Sequence, residues 1–200
     1  MEVWELVARE SARDLIARYN ANGDSGRIEQ MVAVFAPDAV FETGGRRFEG
    51  RDAIHAFMSG VVTARADRTA LADHGVQAAA AQADESAEPQ AGSARVSPAM
   101  ADWEARGRPP ILRHFTGTTQ IDVVDERTVR ARSYYLVLTA HGLDHWGRYL
   151  DEFGLVDGEW RITSRREITD ASFAGGWGSR ATGEDPPHVT HPVCWPGITP

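Results

Sequence analysis

Two ionisable residues far apart in the chain, Asp24 and His114, have side chains suited to moving a proton. His114 lies near the start of a strand-like run at 111–121, and Asp24 lies just before a predicted helix. A neutral imidazole accepts a proton near pH 7, and a carboxylate on its other ring nitrogen fixes the tautomer and stabilises the imidazolium. If a curled sheet brings the two side chains into one pocket, they form a general acid/base.

Two tyrosines are candidates for an uncharged donor in such a reaction. A phenol donates a hydrogen bond without being charged, so Tyr19 or Tyr149 is suited to polarise a carbonyl or to protonate a departing hydroxyl. Because this chemistry requires no metal, we predict neither a metal nor a cofactor. Period-two alternation places Thr116 and Thr118 on the face of His114. The residues therefore predict His114 and Asp24 as the acid/base pair, with Tyr19 or Tyr149 as the donor. The predicted substrate-binding set is Tyr149, Asp151, Thr116, Phe35, Phe41, Phe57 and Trp146.

Each catalytic candidate also has a structural interpretation. An aspartate immediately before a helix commonly caps it, so Asp24 is alternatively an N-cap. His114 is alternatively a partly buried histidine bonded to a backbone carbonyl. Tyr19 lies on the apolar stripe of the first helix, so it is alternatively a core residue with no catalytic role. Neighbouring side chains in a strand point to opposite faces, so one of Arg165 and Arg166 faces the pocket and the other faces solvent. The sequence does not decide which of the two faces the pocket.

The remaining histidines form loop pairs. His141 and His145 flank a predicted hairpin, and His188 and His191 lie near the end of the sequence. A structural zinc site needs four fixed ligands, and neither pair has a fixed third ligand beside it. We expect these histidines to be solvated.

Hydrophobic spacing predicts three helices before most of the sheet. The first covers about 2–20 and ends at 20–23, and the second covers about 25–35 and is stopped by Ala36-Pro37-Asp38. A strand at 39–43 and a turn at Gly44-Gly45 precede a third helix at about 54–62. Four β segments follow, at about 111–124, 128–140, 145–156 and 159–169, with Asp157-Gly158 as a two-residue hairpin turn.

This order predicts an α+β architecture, with about three N-terminal helices packed on the concave face of one bent, largely antiparallel sheet. We expect one domain at 1–173. Its segment at about 66–108 is rich in Ala, Gln, Glu, Asp and Ser, which predicts an exposed insertion. The tail at 174–200 is too rich in Gly and Pro for regular structure.

Charge and composition exclude several partners. The net charge of −8 argues against nucleic acid, since binding to phosphates depends on clustered Lys and Arg. One cysteine, Cys194, excludes an internal disulfide. The chain has no basic start followed by an apolar run and no 18-residue apolar stretch, so we expect no membrane partner and a cytoplasmic location.

The order of these motifs resembles the SnoaL-like branch of the nuclear-transport-factor-two-like superfamily. The resemblance rests on Asp24, on 35–41 (FAPDAVF), on 50–54 (GRDAI), on 113–115 (RHF) and on the closing runs 147–151 and 158–162. It spans about 2–65 and 110–170, and it implies an α+β cone-shaped barrel with a strongly curved sheet. Among its enzymes, the sequence is most similar to scytalone dehydratase, hexachlorocyclohexane dehydrochlorinase and bile-acid 7α-dehydratase.

The resemblance implies roles for three residues. Asp24 falls where those enzymes place a pocket aspartate, His114 falls at their catalytic histidine, and Tyr19 matches the pocket tyrosine of the bile-acid dehydratase. The resemblance therefore implies His114, Asp24 and Tyr19 as the catalytic set. The tyrosine and the second histidine of scytalone dehydratase have no counterpart, so the substrate does not carry over. Dimers and trimers are both frequent for this fold, so a homodimer or homotrimer is expected.

We therefore predict a cofactor-independent lyase, a dehydratase or a related elimination or isomerisation enzyme, that acts on a hydrophobic hydroxylated small molecule. The alternatives are a SnoaL-like polyketide cyclase, an epoxide hydrolase, or a non-catalytic binding or assembly subunit of the same fold. An epoxide hydrolase needs an Asp-Arg-Asp set, for which Asp24, Arg148 or Arg166, and Asp151 are the candidates. Side chains of Asp24 and His114 more than about 5 Å apart favour the non-catalytic alternative.

Overall fold

The computed structural model describes residues 1–62, 112–139 and 142–172, so the predicted insertion at about 66–108 and the tail at 174–200 lie outside the described residues. Described residues 1–59, 112–139 and 142–172 belong to one compact unit. None of the described helices is long and apolar enough to cross a membrane. The elements are α1 (Val3–Asp24), α2 (Ile28–Val32), β1 (Phe35–Thr43), β2 (Arg46–Glu49), α3 (51–62), β3 (Leu112–Asp125), β4 (Thr128–Thr139), β5 (Gly142–Val156) and β6 (Glu159–Ser172).

The six strands form one sheet in the order β2-β1-β6-β5-β4-β3. Strands β1 and β6 pair in parallel, and every other neighbouring pair is antiparallel. The curved sheet is open, with β2 and β3 at its edges, and α1 packs against β3, β4 and β6. The predicted α+β class with helices on a curved, largely antiparallel sheet is confirmed.

Two tight turns fall where the glycines predict them. Gly44 and Gly45 both have positive φ, 53° and 71°, and they join β1 to β2. Asp157 and Gly158 have φ of 50° and 82° and join β5 to β6. Positive φ at both central residues is the geometry whose twist matches that of the flanking strands.

Helix α1 is longer than predicted, because it continues through 20–23 to Asp24. Gly26 ends it: this residue has a φ of 69°, and its N–H bonds the carbonyl of Gly23. The N–H of Arg27 bonds the carbonyl of Asn22, which completes a Schellman motif. Gly23 serves packing instead, since a Cβ there would lie 2.9 Å from the sulfur of Met31.

The second helix is shorter than predicted. Helix α2 has five residues, and Phe35, predicted to end it, begins β1. The segment expected to stop a helix, Ala36-Pro37-Asp38, lies inside β1, where the pairing with β6 shifts register between Phe35 and Val40. Proline is tolerated at such an irregularity because no ladder hydrogen bond is required of its nitrogen.

The prediction that Thr118 shares the face of His114 is wrong, because β3 contains a β-bulge. The pairing of β3 with β4 shifts register between Thr116 and Thr119, so the alternation of side chains restarts there. After the bulge, the Thr119 hydroxyl donates to the buried Ser133 hydroxyl, and Thr118 is exposed. Thr118 therefore does not share the face of His114.

Candidate active site

The structure brings Asp24 and His114 together. The Asp24 carboxylate holds His114 at two points: Oδ2 accepts the backbone N–H at 2.9 Å, and Oδ1 lies 2.6 Å from Nδ1 of the ring. The side chain of Asp24 keeps 9% of its surface exposed and that of His114 keeps 15%. A carboxylate in this position assigns the ring proton to Nδ1 and leaves Nε2 as the basic nitrogen.

The position of Asp24 is unfavourable for the helix that carries it. It is the last residue of α1, so the predicted N-cap interpretation is wrong, and α2 has no side-chain cap. A carboxylate at a helix C-terminus faces the negative end of the helix dipole. The hydrogen bonds to His114 offset this cost. An aspartate at position 24 is therefore explained by its contact with His114 and not by the stability of α1.

Asn20 links α1 to two strands of the sheet. Its side-chain amide donates to the hydroxyl of Thr116 at 2.6 Å, and its carbonyl oxygen accepts from the hydroxyl of Tyr149 at 3.2 Å. Asn20 is 6% exposed and Tyr149 is fully buried. The sequence predicted that Asn20 lies in the loop that ends the first helix. Because side chains in such a loop are normally solvated, its hydrogen bonds to the sheet were not predicted.

Arg165 is the arginine that turns inward. It is fully buried and bonds both carboxylate oxygens of Asp151 at 2.7 Å, and Asp151 is fully buried too. Its guanidinium carbon lies 4.2 Å and 4.3 Å from the ring centroids of Tyr19 and Tyr149. Within the described part of the chain, Arg165 Nη1 is buried without a hydrogen-bond partner. Arg166 points outward to Glu42.

The three buried tyrosines of the site, Tyr19, Tyr135 and Tyr149, stay protonated. Burial raises the pKa of Tyr19, and the charge of Glu167 raises it further, against the opposing effect of Arg165. Burial also raises the pKa of Tyr135 and of Tyr149 well above the ordinary value, again with Glu167 as the next cause. All three phenols are therefore uncharged donors across the physiological pH range.

Tyr135 and Glu167 are site residues that sequence reasoning missed. The Tyr135 ring stacks on Tyr149 with centroids 4.5 Å apart, and its hydroxyl donates to Glu167 at 3.4 Å. Its ring centroid also lies 6.2 Å from that of His114. Alternation along β6 from a buried Arg165 would have placed Glu167 on the same face, but the sequence did not say which arginine was buried.

Aromatic rings connect the site to the far side of the core. Tyr19 meets Phe35 edge to face, Phe35 meets Phe41, and Phe41 meets Phe57, with centroids 5.8 to 6.2 Å apart. Trp146 is not brought into this row. It is 36% exposed, and it alternates with His145 and Gly147, which face the helices.

His145 is buried, so the expectation of a solvated loop histidine is wrong for this residue. It is 2% exposed, and its Nδ1 lies 2.7 Å from Oδ1 of Asp144. The reason is that β5 begins earlier than predicted, at Gly142, which places His145 inside a strand. His141, His188 and His191 lie outside the described residues.

The burial of His145 predicts a pH-dependent stability. Burial lowers its pKa from the ordinary 6.5, partly opposed by Asp144 and Glu167. As the pH falls below 6.5, the unfolded chain therefore takes up this proton before the folded one, and the free energy of unfolding decreases. We expect the wild type to lose stability relative to His145→Gln between pH 7 and pH 5, as measured by urea unfolding. Parallel curves for the two proteins would contradict this.

Residues 4–166 match the family model of the SnoaL-like domain. The chain therefore belongs to the SnoaL-like family. No curated protein sequence matches it.

Three solved structures from Novosphingobium aromaticivorans share the fold. A candidate scytalone dehydratase is 19% identical, with a TM-score of 0.55 over 84% of this chain and 88% of its own. An NTF2-like protein with a cystatin-like fold is 22% identical, with a TM-score of 0.52 over 88% and 89%. The β subunit of a candidate aromatic-ring-hydroxylating dioxygenase is 19% identical, with a TM-score of 0.52 over 85% and 93%. At these identities the likeness concerns the fold.

Proposed function

We propose that this protein is a cofactor-independent lyase that eliminates water from a hydrophobic hydroxylated small molecule carrying an activating carbonyl. The observation that carries the proposal is the double hold of Asp24 on His114, at its backbone N–H and at Nδ1. A histidine oriented in this way presents Nε2 as a base, and the carboxylate stabilises the imidazolium that forms. His114 then removes the proton from the carbon beside the carbonyl.

The negative charge that develops on the carbonyl oxygen needs donors. Arg165 Nη1 is a buried donor without a partner within the described residues, and Tyr19 is an uncharged phenol directly beneath the guanidinium. We assign these two groups to the carbonyl oxygen, where a fixed donor stabilises an enolate more strongly than water does. Asp151 and Tyr149 then serve as positioning residues, since Asp151 holds Arg165 through two hydrogen bonds and the Tyr149 ring centroid lies 4.3 Å from the guanidinium carbon.

The aromatic row supports a hydrophobic substrate. Phe35 and Phe41 are fully buried, and Phe57 extends their row away from Arg165. The candidate scytalone dehydratase among the structural neighbours is in line with a dehydration of this kind. We therefore propose an aromatic, polyketide-like or steroid-like skeleton.

The test is the elimination of water from the benzaldehyde–acetone aldol, an aromatic β-hydroxy ketone that yields benzylideneacetone. The conjugated product absorbs in the near ultraviolet, so turnover is followed directly. The matched control substrate is the analogous benzylic alcohol that lacks the carbonyl and hence the acidic proton. We expect turnover of the ketone alone. Equal turnover of both substrates, or of neither, would contradict the proposal.

A second candidate, a non-catalytic assembly subunit, rests on the outer face of the sheet. Phe115, Leu136 and Trp146 are Cα partners across β3, β4 and β5, and they are 54%, 38% and 36% exposed. Such an exposed apolar row is typical of an interface, as in a homodimer or homotrimer. A chain that associates through this row and leaves the ketone unchanged would favour this candidate.

A further inference from the structure

The last turn of α1, residues 21–24, carries Asp24 beyond the apolar core. The buried residues of α1 end with Tyr19 and Asn20, and none of residues 21–24 is buried. Apolar contacts are non-directional, so the core alone lets this end of the helix slide or rotate by a fraction of an ångström. Asp24 nevertheless meets Nδ1 of His114 at 2.6 Å. Its position therefore needs a directional contact nearby.

Asn20 makes such a contact one helical turn before Asp24. Its side-chain nitrogen donates to Thr116 Oγ1 at 2.6 Å. Residues four apart in a helix lie on one face, so Asn20 and Asp24 face β3 together. Thr116 and His114 share one face of β3, because they are two residues apart and both precede the register shift. Side chains therefore join α1 to β3 at two points, 20 to 116 and 24 to 114.

The two contacts are equally spaced on the helix and on the strand. Four residues of an α-helix rise about 6 Å, and two residues of a β-strand span about 6.6 Å. Arg9 Nη1 donates to the carbonyl of Ile121 at 2.6 Å, which continues the same alignment in the first half of α1. Hydrogen bonds therefore set where α1 lies along β3. Of the bonds from Arg9 and Asn20, that of Asn20 is the nearer to Asp24.

The amide of Asn20 is itself held in one orientation. Its Oδ1 accepts from the hydroxyl of Tyr149 at 3.2 Å while its nitrogen donates to Thr116, so rotation of the amide would disturb both bonds. Tyr149 is fully buried, and its ring centroid lies 4.3 Å from the guanidinium carbon of Arg165. Asn20 is therefore anchored on β5 as well as on β3, and its contact with Thr116 is rigid.

We propose that Asn20, through its hydrogen bond to Thr116, is the positioning residue that holds the Asp24 carboxylate on Nδ1 of His114. The inference rests on the proposed function only for its effect on turnover, because the tautomer of His114 is measured without a substrate. Without this bond the last turn of α1 is free to shift, and the carboxylate no longer confines the ring proton to Nδ1. A misplacement of about 1 Å in a catalytic arrangement costs about 100-fold in rate.

The experiment removes the hydroxyl of Thr116, since Thr116→Val keeps the shape and the β-branch of the side chain. In the ¹⁵N spectrum of the neutral histidine rings, we expect His114 of this variant to carry its proton on both Nδ1 and Nε2 in exchange, whereas the wild type carries it on Nδ1. For the benzaldehyde–acetone aldol we expect kcat to decrease about 10- to 100-fold. Thr116→Ser retains the acceptor oxygen and should keep the wild-type tautomer and most of kcat.

Two further variants complete the test. Asn20→Ala removes the donor instead of the acceptor, so it should reproduce both changes, and it carries the test if Thr116→Val does not fold. Thr119→Val is the matched control, because the Thr119 hydroxyl also donates from β3, but to Ser133 Oγ on β4 at 3.2 Å and not to α1. We expect this control to lose stability in urea unfolding and to leave the His114 tautomer and kcat unchanged.

The tautomer and the turnover separate the two proposals. An unchanged His114 tautomer in Thr116→Val would overturn the inference, as would equal changes in Thr116→Val and Thr119→Val, which would give Thr116 a merely structural role. A changed tautomer in Thr116→Val alone supports the inference even if the wild type leaves the ketone unchanged. That failure of the wild type to act on the ketone would refute the proposed function by itself.

Discussion

Replacing His114 by alanine is expected to lower kcat for the benzaldehyde–acetone aldol by about 100- to 10,000-fold while the protein stays folded. The loss follows because alanine has no ring nitrogen to accept the substrate proton, whereas His114 is held at Nδ1 by Asp24 and presents Nε2 as the base. The fold should persist because Asp24 Oδ2 accepts the backbone N–H of residue 114, which the substitution retains. Turnover is measured from product absorbance, and folding from thermal unfolding.

His55→Ala is the matched control for this loss. His55 also pairs with a carboxylate, that of Glu29 at 2.7 Å, but on an exposed surface. We expect full activity from this variant. If His114→Ala turned over the ketone at the wild-type rate, the role of His114 as the base would be contradicted. A decrease in kcat no larger than that of His55→Ala would contradict it equally.

Replacing Arg165 by methionine is expected to destabilise the protein by about 3 to 5 kcal/mol. The substitution removes a fully buried cation and leaves the Asp151 carboxylate buried without its two hydrogen bonds. For a chain of this size, each kcal/mol lowers the melting temperature by about 2 to 4 °C. A decrease of about 10 °C is therefore expected in thermal unfolding.

Arg166→Met provides the control, because the neighbouring arginine makes an exposed ion pair with Glu42. Such a pair contributes about 0 to 1 kcal/mol, so little change is expected. The double variant Arg165→Met with Asp151→Leu should recover most of the lost stability, since no unpaired charge then remains buried. A double variant less stable than Arg165→Met alone would refute the explanation by an unpaired carboxylate.

The sequence predicted the fold from signals that act locally. The apolar stripe of α1 and the alternation of the strands depend on a few neighbouring residues, and both turns contain glycines with positive φ. Element ends were predicted less well. The end of α1 depends on Gly26, whereas Gly23 is fixed by its contact with Met31, a tertiary interaction that spacing does not reveal.

The pairing of Asp24 with His114 was the most informative prediction for the site. A histidine on a strand and an aspartate ninety residues earlier were matched by their chemistry and by family resemblance. The structure brings them within hydrogen-bond distance, and their catalytic role stays a proposal. Tyr19 lies beside Arg165, and Thr116 bonds Asn20.

The residues that were missed share a physical reason. His145 and Glu167 were not recognised because strand bounds and faces decide their burial, and β5 and β6 both contain register shifts. A β-bulge moves every later side chain to the other face. Faces counted by alternation from one end of a strand are therefore wrong for the residues that follow the bulge. Asn20 was missed because the helix was expected to end there.

The central claim is that Asp24 holds His114 in the tautomer that presents Nε2 as a base. The most direct measurement is the ¹⁵N spectrum of the histidine rings in the neutral state, with His114 assigned by the signals lost in His114→Ala. We predict a protonated Nδ1 and an unprotonated Nε2 for His114. A proton on Nε2 would contradict the claim, because the ring would then have no basic nitrogen to present to a substrate.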